Sequence, residues 1–157
     1  MQHPCGKIAD LMLDRGWRLA SAESCTGGLV AAACTDLAGS SAWFERGFVT
    51  YSNESKIGML GVPASLIAQH GAVSQEVALA MVQGALANSP AQVSLAVTGI
   101  AGPSGGSTEK PVGTVWFAWA TPAGDWAEVQ TFQGDRVAVR SATVAHSLRR
   151  LQELLST

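Results

Sequence analysis

Charged residues and basic runs are scarce in this 157-residue chain. Only 14% of the residues are charged, the net charge is −2, and no run of Lys or Arg occurs. The lack of a basic patch argues against nucleic acid as the main ligand. Apolar residues make up 47% of the chain, which with the low charge is typical of a compact globular protein rather than a disordered one.

Cysteines are few as well: Cys5, Cys25 and Cys34 include no CxxC pair. An odd number without that spacing predicts neither a disulfide framework nor a zinc knuckle, and it fits a reducing compartment. No His/Asp/Glu spacing matches a metal site, so we expect neither a metal nor another cofactor. No signal-peptide pattern is seen, and no apolar run approaches the ~20 residues that span a bilayer. We therefore expect a soluble cytoplasmic protein without a membrane partner.

Length and periodicity predict one layered domain over residues 1–157. Apolar runs and alternation predict strands over 17–22, 43–51, 93–97, 112–120 and 126–132. Helical spacing and capping residues predict helices over 4–15, 26–33, 63–70 and 75–87, a helix that starts at the Ser52-Asn53 cap and runs past residue 60 until Gly61-Val-Pro63, and a last helix that opens at Gly134-Asp135 and runs to about 155. Helices that alternate with strands and are followed by a hairpin predict an α/β domain with a mixed sheet.

A candidate nucleophile lies in the stretch Ser21-Ala-Glu-Ser-Cys-Thr-Gly-Gly28, between a predicted strand and a predicted helix. Such a turn presents backbone N–H groups at the positive end of a helix dipole, which suits an oxyanion or a phosphate. Ser24 is the candidate nucleophile, and the N–H groups of Cys25, Thr26 and Gly27 are candidate oxyanion donors. Cys25 is the rival nucleophile, because a helix start would lower the pKa of a thiol.

A serine nucleophile needs a base to take its proton, and histidine is the usual choice. His3, His70 and His146 lie in ordinary helical or terminal contexts, and none has a loop setting with a nearby acid. We therefore expect structural or surface roles for all three histidines. A Ser-His-Asp triad stays open but has no support in the sequence.

The other available base is a neutral lysine. Lys56 follows Tyr51-Ser-Asn-Glu-Ser55 at the junction of a strand end and a helix start. Parallel sheets gather such junctions at their carboxyl edge, where the Ser24 turn would also lie. Burial could leave Lys56 partly neutral, with Tyr51 relaying a proton or holding the amine. The alternative is a solvated helix residue paired with Glu54 or with nothing.

Two further features could bind a ligand. Thr98 ends a buried strand, and a glycine-dense loop over 99–106 follows, which includes Gly99 and Gly102. Its glycines could expose N–H groups to an anion or allow a ligand to approach closely; an ordinary mobile loop is the alternative. Arg136 and Arg140 share one face of the last helix, where they could clamp a phosphate or serve only solubility.

Several of these segments, in the same order, resemble the CinA C-terminal domain family. They are Ala22-Glu-Ser-Cys-Thr-Gly-Gly28, Gly39-Ser-Ser-Ala-Trp-Phe-Glu-Arg-Gly-Phe-Val-Thr-Tyr-Ser-Asn53 with Lys56, His70-Gly-Ala-Val-Ser74, Thr98-Gly-Ile-Ala-Gly-Pro103 and Lys110-Pro-Val-Gly-Thr-Val115. The resemblance runs from about residue 5 to 155, and so covers nearly the whole chain.

The resemblance implies a three-layer α/β/α domain and usually a homodimer. Enzymatic members of the family are nicotinamide-nucleotide amidohydrolases of the PncC type, which convert nicotinamide mononucleotide (NMN) and water to nicotinate mononucleotide and ammonia without a metal. By motif, the resemblance implies Ser24 as nucleophile, Lys56 as base and Tyr51 as assistant. It also implies Thr98 at the active-site strand end, and Arg136 or Arg140 in contact with the substrate.

In many relatives this domain follows a molybdopterin-binding-like domain, so the chain resembles the stand-alone form. The main hypothesis is an NMN deamidase of pyridine-nucleotide recycling that acts through a Ser–Lys pair. One alternative is a non-catalytic nucleotide-binding module with a regulatory or interaction role. Another is a Ser–Lys hydrolase that acts on some other amide.

Overall fold

A five-stranded mixed sheet forms the centre of the computed structural model, which describes residues 3–157. Its strands are β1 (Leu19–Glu23), β2 (Phe44–Val49), β3 (Val93–Gly99), β4 (Thr114–Thr121) and β5 (Gly124–Thr131). Their order across the sheet is β2-β1-β3-β4-β5. β1 pairs in parallel with β2 and β3, whereas β4 pairs antiparallel with β3 and β5. The predicted mixed sheet is confirmed.

Helices cover both faces of this sheet. On one face lie α1 (Gly6–Arg15), α2 (Leu29–Thr35) and α6 (Arg136–Leu155), and on the other lie α3 (Asn53–Leu60), α4 (Ala64–His70) and α5 (Gln75–Ala87). This is the three-layer α/β/α arrangement that the resemblance implied. Among the helices of the described chain, none combines the length and the apolar character that a bilayer crossing requires.

Side-chain size differs between the two faces of the sheet. On β4, Phe117 and Trp119 belong to the core that α6 covers, whereas Ala118 and Ala120 belong to the core under α5. The small side chains let α5 lie close to the sheet and to α3. Gly84 of α5 shows how close, because a Cβ there would stand 2.1 Å from a carbonyl oxygen of the residue that ends α3. This packing fixes α3 against the sheet.

The order of the strands creates a crevice. From β1 the chain crosses one face through α2 to reach β2, and it returns across the other face through α3, α4 and α5 to reach β3. The two connections lie on opposite faces of the sheet, and a gap opens beyond the carboxyl ends of β1 and β3. In open α/β sheets this switch point is where ligands bind.

Two predicted boundaries differ from the structure for the same reason. The helix predicted from residue 26 begins at Leu29, since Gly27 and Gly28 take φ values of +58° and +112° that end the strand with a turn. The strand predicted from residue 112 begins at Thr114, since Gly113 has a φ of +96°. Left-handed glycines, which are not helical or extended, set both boundaries.

Candidate active site

Ser24 lies in a turn directly after β1. Its backbone N–H donates to the Val97 carbonyl of β3 (3.0 Å), so the turn stays tied to the sheet. The Gly27 N–H donates back to the Ser24 carbonyl (3.1 Å), which closes a four-residue turn. Gly27 closes the turn with a φ of +58°, a left-handed conformation that glycine adopts without steric cost. The Ser24 side chain is thereby held at the crevice between β1 and β3.

Lys56 reaches Ser24 from α3. The hydroxyl of Ser52 accepts the Ser55 N–H (3.0 Å) and caps the helix, so Lys56 falls in its first turn. The Lys56 side chain is buried, with 1% of its surface exposed, and its Nζ lies 3.0 Å from Ser24 Oγ. Nζ also donates to the carbonyl oxygens of Thr50 (3.0 Å) and Tyr51 (3.1 Å). The structure therefore brings together the two residues that the sequence predicted as nucleophile and base.

No carboxylate of residues 3–157 lies within 4 Å of the Lys56 amine. Burial without a counter-charge lowers the pKa of Lys56 from its ordinary value of 10.5. In its charged form the amine has three hydrogens for its three contacts, the Thr50 and Tyr51 carbonyls and Ser24 Oγ, and the Ser24 hydroxyl donates to the Tyr51 carbonyl (3.4 Å). In the neutral form, which burial favours, the two carbonyls take the two remaining hydrogens because they can only accept, and the lone pair faces the Ser24 hydroxyl.

The environment of the Cys25 thiol differs from the one that the sequence predicted. Its thiol is buried, and burial raises the pKa of Cys25 to about 11 instead of lowering it. The expected effect of the helix start is absent because α2 begins four residues later, at Leu29. A thiol with that pKa is almost wholly protonated near neutral pH, which makes Cys25 a poor nucleophile.

Glu23 accepts the N–H groups at the start of α2, the positive end of the helix where the sequence predicted a place for an oxyanion or a phosphate. Its carboxylate is fully buried and accepts the N–H groups of Gly28 (3.2 Å), Val30 (2.8 Å) and Ala31 (3.0 Å), together with the Thr26 hydroxyl. The start of α2 is thus neutralised from inside the protein. Sequence reasoning missed this role; the signal was an acidic residue between an otherwise apolar strand and the turn.

Two N–H groups of the turn remain without a partner. The N–H groups of Cys25 and Thr26 donate to no other residue of the described chain, whereas that of Gly27 is used within the turn. The three oxyanion donors that the sequence predicted are therefore narrowed to two. Both belong to the turn that holds Ser24, so they are candidate donors for an oxyanion that forms on a carbonyl attacked by Ser24 Oγ.

The opposite wall of the crevice comes from β3 and the glycine loop. Thr98 is buried, and its hydroxyl donates to the Ala72 carbonyl (2.9 Å), so it holds the segment before α5 against the strand end. Gly99 lies so close to β4 that a Cβ would stand 2.6 Å from a methyl group of Val115. Gly102 is buried, with a φ of +83°. Thr98 and Gly99 line the cleft.

Tyr51 and Arg136 stand together at the mouth. Tyr51 holds the Lys56 amine through its main-chain carbonyl, as given above, while its side chain is 61% exposed. Arg136 donates to the Tyr51 hydroxyl (3.2 Å) and to the Gly102 carbonyl (2.8 Å). Arg140 does not line the cleft; its guanidinium donates to the carbonyls of Cys25 (3.0 Å) and Thr26 (3.2 Å). The two arginines that the sequence placed on one helix face thus have different partners.

The cleft bounded by these residues has a volume of about 220 Å³. It contains Ser24 and Lys56 at its base and Arg136 at its edge. A larger groove of about 590 Å³ lies between α2 and α6, but its lining is mostly apolar, with Leu29 and Val144 among its residues. The polar cleft is the one with groups that could carry out chemistry. Nowhere in residues 3–157 do three or more His, Cys, Asp or Glu side chains form a group that could hold a metal ion.

The histidines lie away from Ser24, although two of them have an acid nearby. His146 Nε2 is 3.2 Å from Glu128, and His70 Nδ1 is 3.7 Å from Glu76. His3 Nδ1 accepts the Cys5 N–H (3.0 Å). His70 and His146 are both helical residues, so neither combines a loop setting with a nearby acid, as the sequence predicted. None of the three lines the cleft.

Comparison with known proteins gives a consistent family. The model of the CinA C-terminal domain matches residues 2–155. A nicotinamide-nucleotide amidohydrolase PncC from Shigella flexneri is 54% identical over 92% of this chain and 88% of its own length. A competence-damage inducible protein from Symbiobacterium thermophilum is 52% identical over 94% of this chain, which spans only 37% of that longer protein. The crystal structure of a competence damage-inducible protein A from Klebsiella pneumoniae superposes with a TM-score of 0.94 at 40% identity, covering 98% of this chain and 95% of that one.

Proposed function

Because this chain belongs to the CinA C-terminal domain family, we propose that it is a nicotinamide-nucleotide amidohydrolase that converts NMN and water to nicotinate mononucleotide and ammonia. Relatives named for that activity share more than half of their residues with it over most of both chains. The observation that carries the mechanism is the 3.0 Å contact between the buried Lys56 amine and Ser24 Oγ.

The first half of the proposed reaction forms an ester. Lys56 Nζ takes the hydroxyl proton of Ser24 while Oγ attacks the carboxamide carbon of the substrate. The carbonyl oxygen becomes an oxyanion, which accepts hydrogen bonds from the N–H groups of Cys25 and Thr26. As the C–N bond breaks, the charged Lys56 gives its proton to the nitrogen, so ammonia leaves and a neutral amine returns.

Hydrolysis of the ester repeats these steps with water. Lys56 removes a proton from water, the resulting hydroxide attacks the acyl carbon, and the same two N–H groups stabilise the second oxyanion. Collapse breaks the bond to Ser24 Oγ, which regains its proton from Lys56. The product forms as a carboxylic acid, which gives its proton to solvent and leaves as nicotinate mononucleotide, and Ser24 and Lys56 return to their starting protonation.

The position of the cations suggests how NMN lies in the cleft. The carboxamide has to reach Ser24 at the base, so the ribosyl phosphate extends towards the mouth. Arg136 is exposed there, and its guanidinium is the charged group at the edge of the cleft. A phosphate that replaced the Tyr51 hydroxyl as its partner would gain a charge-assisted hydrogen bond. Binding at this remote point would favour NMN over free nicotinamide.

Ammonia release from NMN by the purified protein tests this proposal, with nicotinamide and glutamine as competing amides. We expect turnover of NMN and at least ~10³-fold less after Ser24→Ala, since the nucleophile is lost. Cys25→Ala is the matched variant; it should lose less than ~10-fold, because only the main chain of Cys25 takes part. Full activity of Ser24→Ala would remove the serine route.

The remaining outcomes separate the alternatives. Preference for glutamine or another amide would keep the Ser–Lys hydrolase and change its substrate. Absence of turnover with any amide, with NMN still bound, would favour a non-catalytic nucleotide-binding module. The single domain over 1–157, the homodimer and the cytoplasmic location remain part of the proposal, and sedimentation equilibrium would measure the oligomeric state.

A further inference from the structure

Arg140 is placed behind the nucleophile turn and not in front of it. It lies in the second turn of α6, half-buried, and its Nε and Nη2 atoms donate to the carbonyl oxygens of Cys25 (3.0 Å) and Thr26 (3.2 Å). No carboxylate of the described residues lies within 4 Å of its guanidinium. Gly27 is in van der Waals reach of it, since a Cβ there would stand 3.6 Å from Nη2. Among the described residues, the Arg140 guanidinium is therefore bonded to main-chain oxygens of this turn and to no acid.

Peptide geometry transmits this contact to the other side of the turn. A trans peptide unit is planar, so its C=O and N–H bonds point in opposite directions. The Cys25 carbonyl and the Thr26 N–H belong to one such unit. When Arg140 holds the carbonyl on the side of α6, the N–H has to point away from α6. Arg140 and Thr26 are both absent from the lining of the cleft, whereas Cys25 is part of it; what the contact fixes is that the Thr26 N–H points away from Arg140.

The neighbouring peptide unit is fixed in the same way. The Ser24 carbonyl is held inside the turn by the Gly27 N–H, so the Cys25 N–H points outward. On the far side of the turn, Glu23 holds the Thr26 hydroxyl and the start of α2. The four-residue turn is thus anchored by an acid at one side and a guanidinium at the other.

A guanidinium also changes the strength of these donors. A charge-assisted hydrogen bond to a peptide oxygen polarises the whole unit, which makes its N–H a better donor. The gain is largest when the N–H faces a full negative charge, as it does for a tetrahedral oxyanion. Contacts that matter more in the transition state than in the bound substrate raise kcat and leave KM nearly unchanged.

We propose that Arg140 is a positioning residue and does not bind the substrate phosphate. Through the Cys25 carbonyl it orients and polarises the Thr26 N–H, and through the Thr26 carbonyl it holds the peptide unit whose Gly27 N–H fixes the Ser24 carbonyl and with it the Cys25 N–H. The inference rests on the proposed Ser24 chemistry. It separates the two arginines of α6, because Arg136 then serves substrate binding and Arg140 serves turnover.

Steady-state kinetics of the full chain with NMN test this separation. Arg140→Met should lower kcat by ~10²–10³-fold, the usual effect of losing an oxyanion donor, with KM changed by less than ~3-fold. Arg136→Met should show the opposite split, with KM raised by ~10-fold or more. A raised KM with an unchanged kcat in Arg140→Met would overturn the proposal, and so would wild-type values of both constants.

Covalent labelling of Ser24 by a fluorophosphonate gives a readout that needs no NMN. The probe forms a tetrahedral adduct at Oγ, so its rate depends on the oxyanion donors. We expect Arg140→Met to slow labelling ~10²-fold or more. An unchanged rate in Arg140→Met would contradict the proposal. If the wild type is labelled but does not hydrolyse NMN, the proposed function fails and the Arg140 test still stands; absence of labelling at Ser24 overturns both.

Two further variants control for folding. Arg46 also donates from its guanidinium to a main-chain oxygen, that of Asn88 (3.1 Å), and it does not line the cleft. Arg46→Met should retain wild-type kcat and labelling, which shows that loss of an arginine–carbonyl contact is not in itself inactivating. Arg140→Lys keeps the charge but cannot bond both carbonyls; we expect a smaller loss of kcat, ~10-fold, still without a rise in KM. If Arg140→Met does not fold, a rise in KM for Arg140→Lys would refute the proposal.

Discussion

Ionisable side chains are paired with opposite charges in one region of this molecule and buried without a counter-charge in another. Between β5 and α6, Glu128 accepts from Arg150 and lies 3.2 Å from His146 Nε2. Arg149 donates to His146 Nδ1 (2.9 Å), and since Arg can only donate, Nδ1 carries no hydrogen and Nε2 points its own hydrogen at Glu128. In the cleft, by contrast, Lys56 is buried with neutral oxygens only.

The difference separates a structural charge cluster from a reactive one. Pairing with Glu128 raises the pKa of Arg150 and so favours its charged form. Burial without an acid lowers the pKa of Lys56 and favours its neutral form. A charge that only stabilises the fold gains from a partner, whereas a base must be able to lose its proton. The uncompensated amine is therefore the side chain whose placement a stability argument alone does not explain.

Replacing the unpaired amine should have the largest effect on activity. Lys56→Met keeps a side chain of similar length but removes the lone pair, so we expect ammonia release from NMN to fall by at least ~10³-fold. Circular dichroism should show that the fold is kept, because no salt bridge is broken. Activity within ~10-fold of wild type would show that some other group takes the Ser24 proton.

Breaking the paired cluster should have a smaller effect, and on stability alone. Glu128→Gln removes the charge that faces His146 and Arg150, and we expect a loss of about 1–2 kcal/mol in the free energy of unfolding, measured in urea. Glu153 also contacts Arg150 but is 54% exposed, so Glu153→Gln should cost less than about 0.5 kcal/mol. A fall in kcat for Glu128→Gln would contradict the separation of the two clusters.

Local patterns were enough to predict much of the fold. The caps Ser52 and Ser74 and an apolar run predicted the helices α3 and α5 and the strand β3. The strand ends indicated that Ser24 and Lys56 could share an edge of the sheet but left a solvated Lys56 open; the family resemblance favoured the contact that the structure shows. Apart from the resemblance, each of these inferences uses residues within a few positions of one another, or the general rule that parallel strands share a carboxyl edge.

Long-range contacts account for what the sequence did not predict. Arg140 bonds the Cys25 carbonyl across 115 positions, and no local pattern separates it from Arg136 one turn earlier. Tyr51 was predicted to relay a proton or to hold the amine, and it holds the amine through its main-chain oxygen, which no side-chain pattern indicates. The role of Glu23 was missed because its carboxylate reaches the N–H groups at the start of α2 only through the turn that Gly27 and Gly28 form.

The proposed mechanism depends most on the protonation state of the Lys56 amine, which NMR of the lysine side chains can measure directly. The chain has three lysines, so three side-chain resonances are expected, and the one that disappears in Lys56→Met is assigned to Lys56. We predict that this resonance titrates below 10.5, and that kcat/KM for NMN rises with pH through the same value, because only the deprotonated amine can take the Ser24 proton. A Lys56 that titrates at or above 10.5, with activity independent of that titration, would contradict the account.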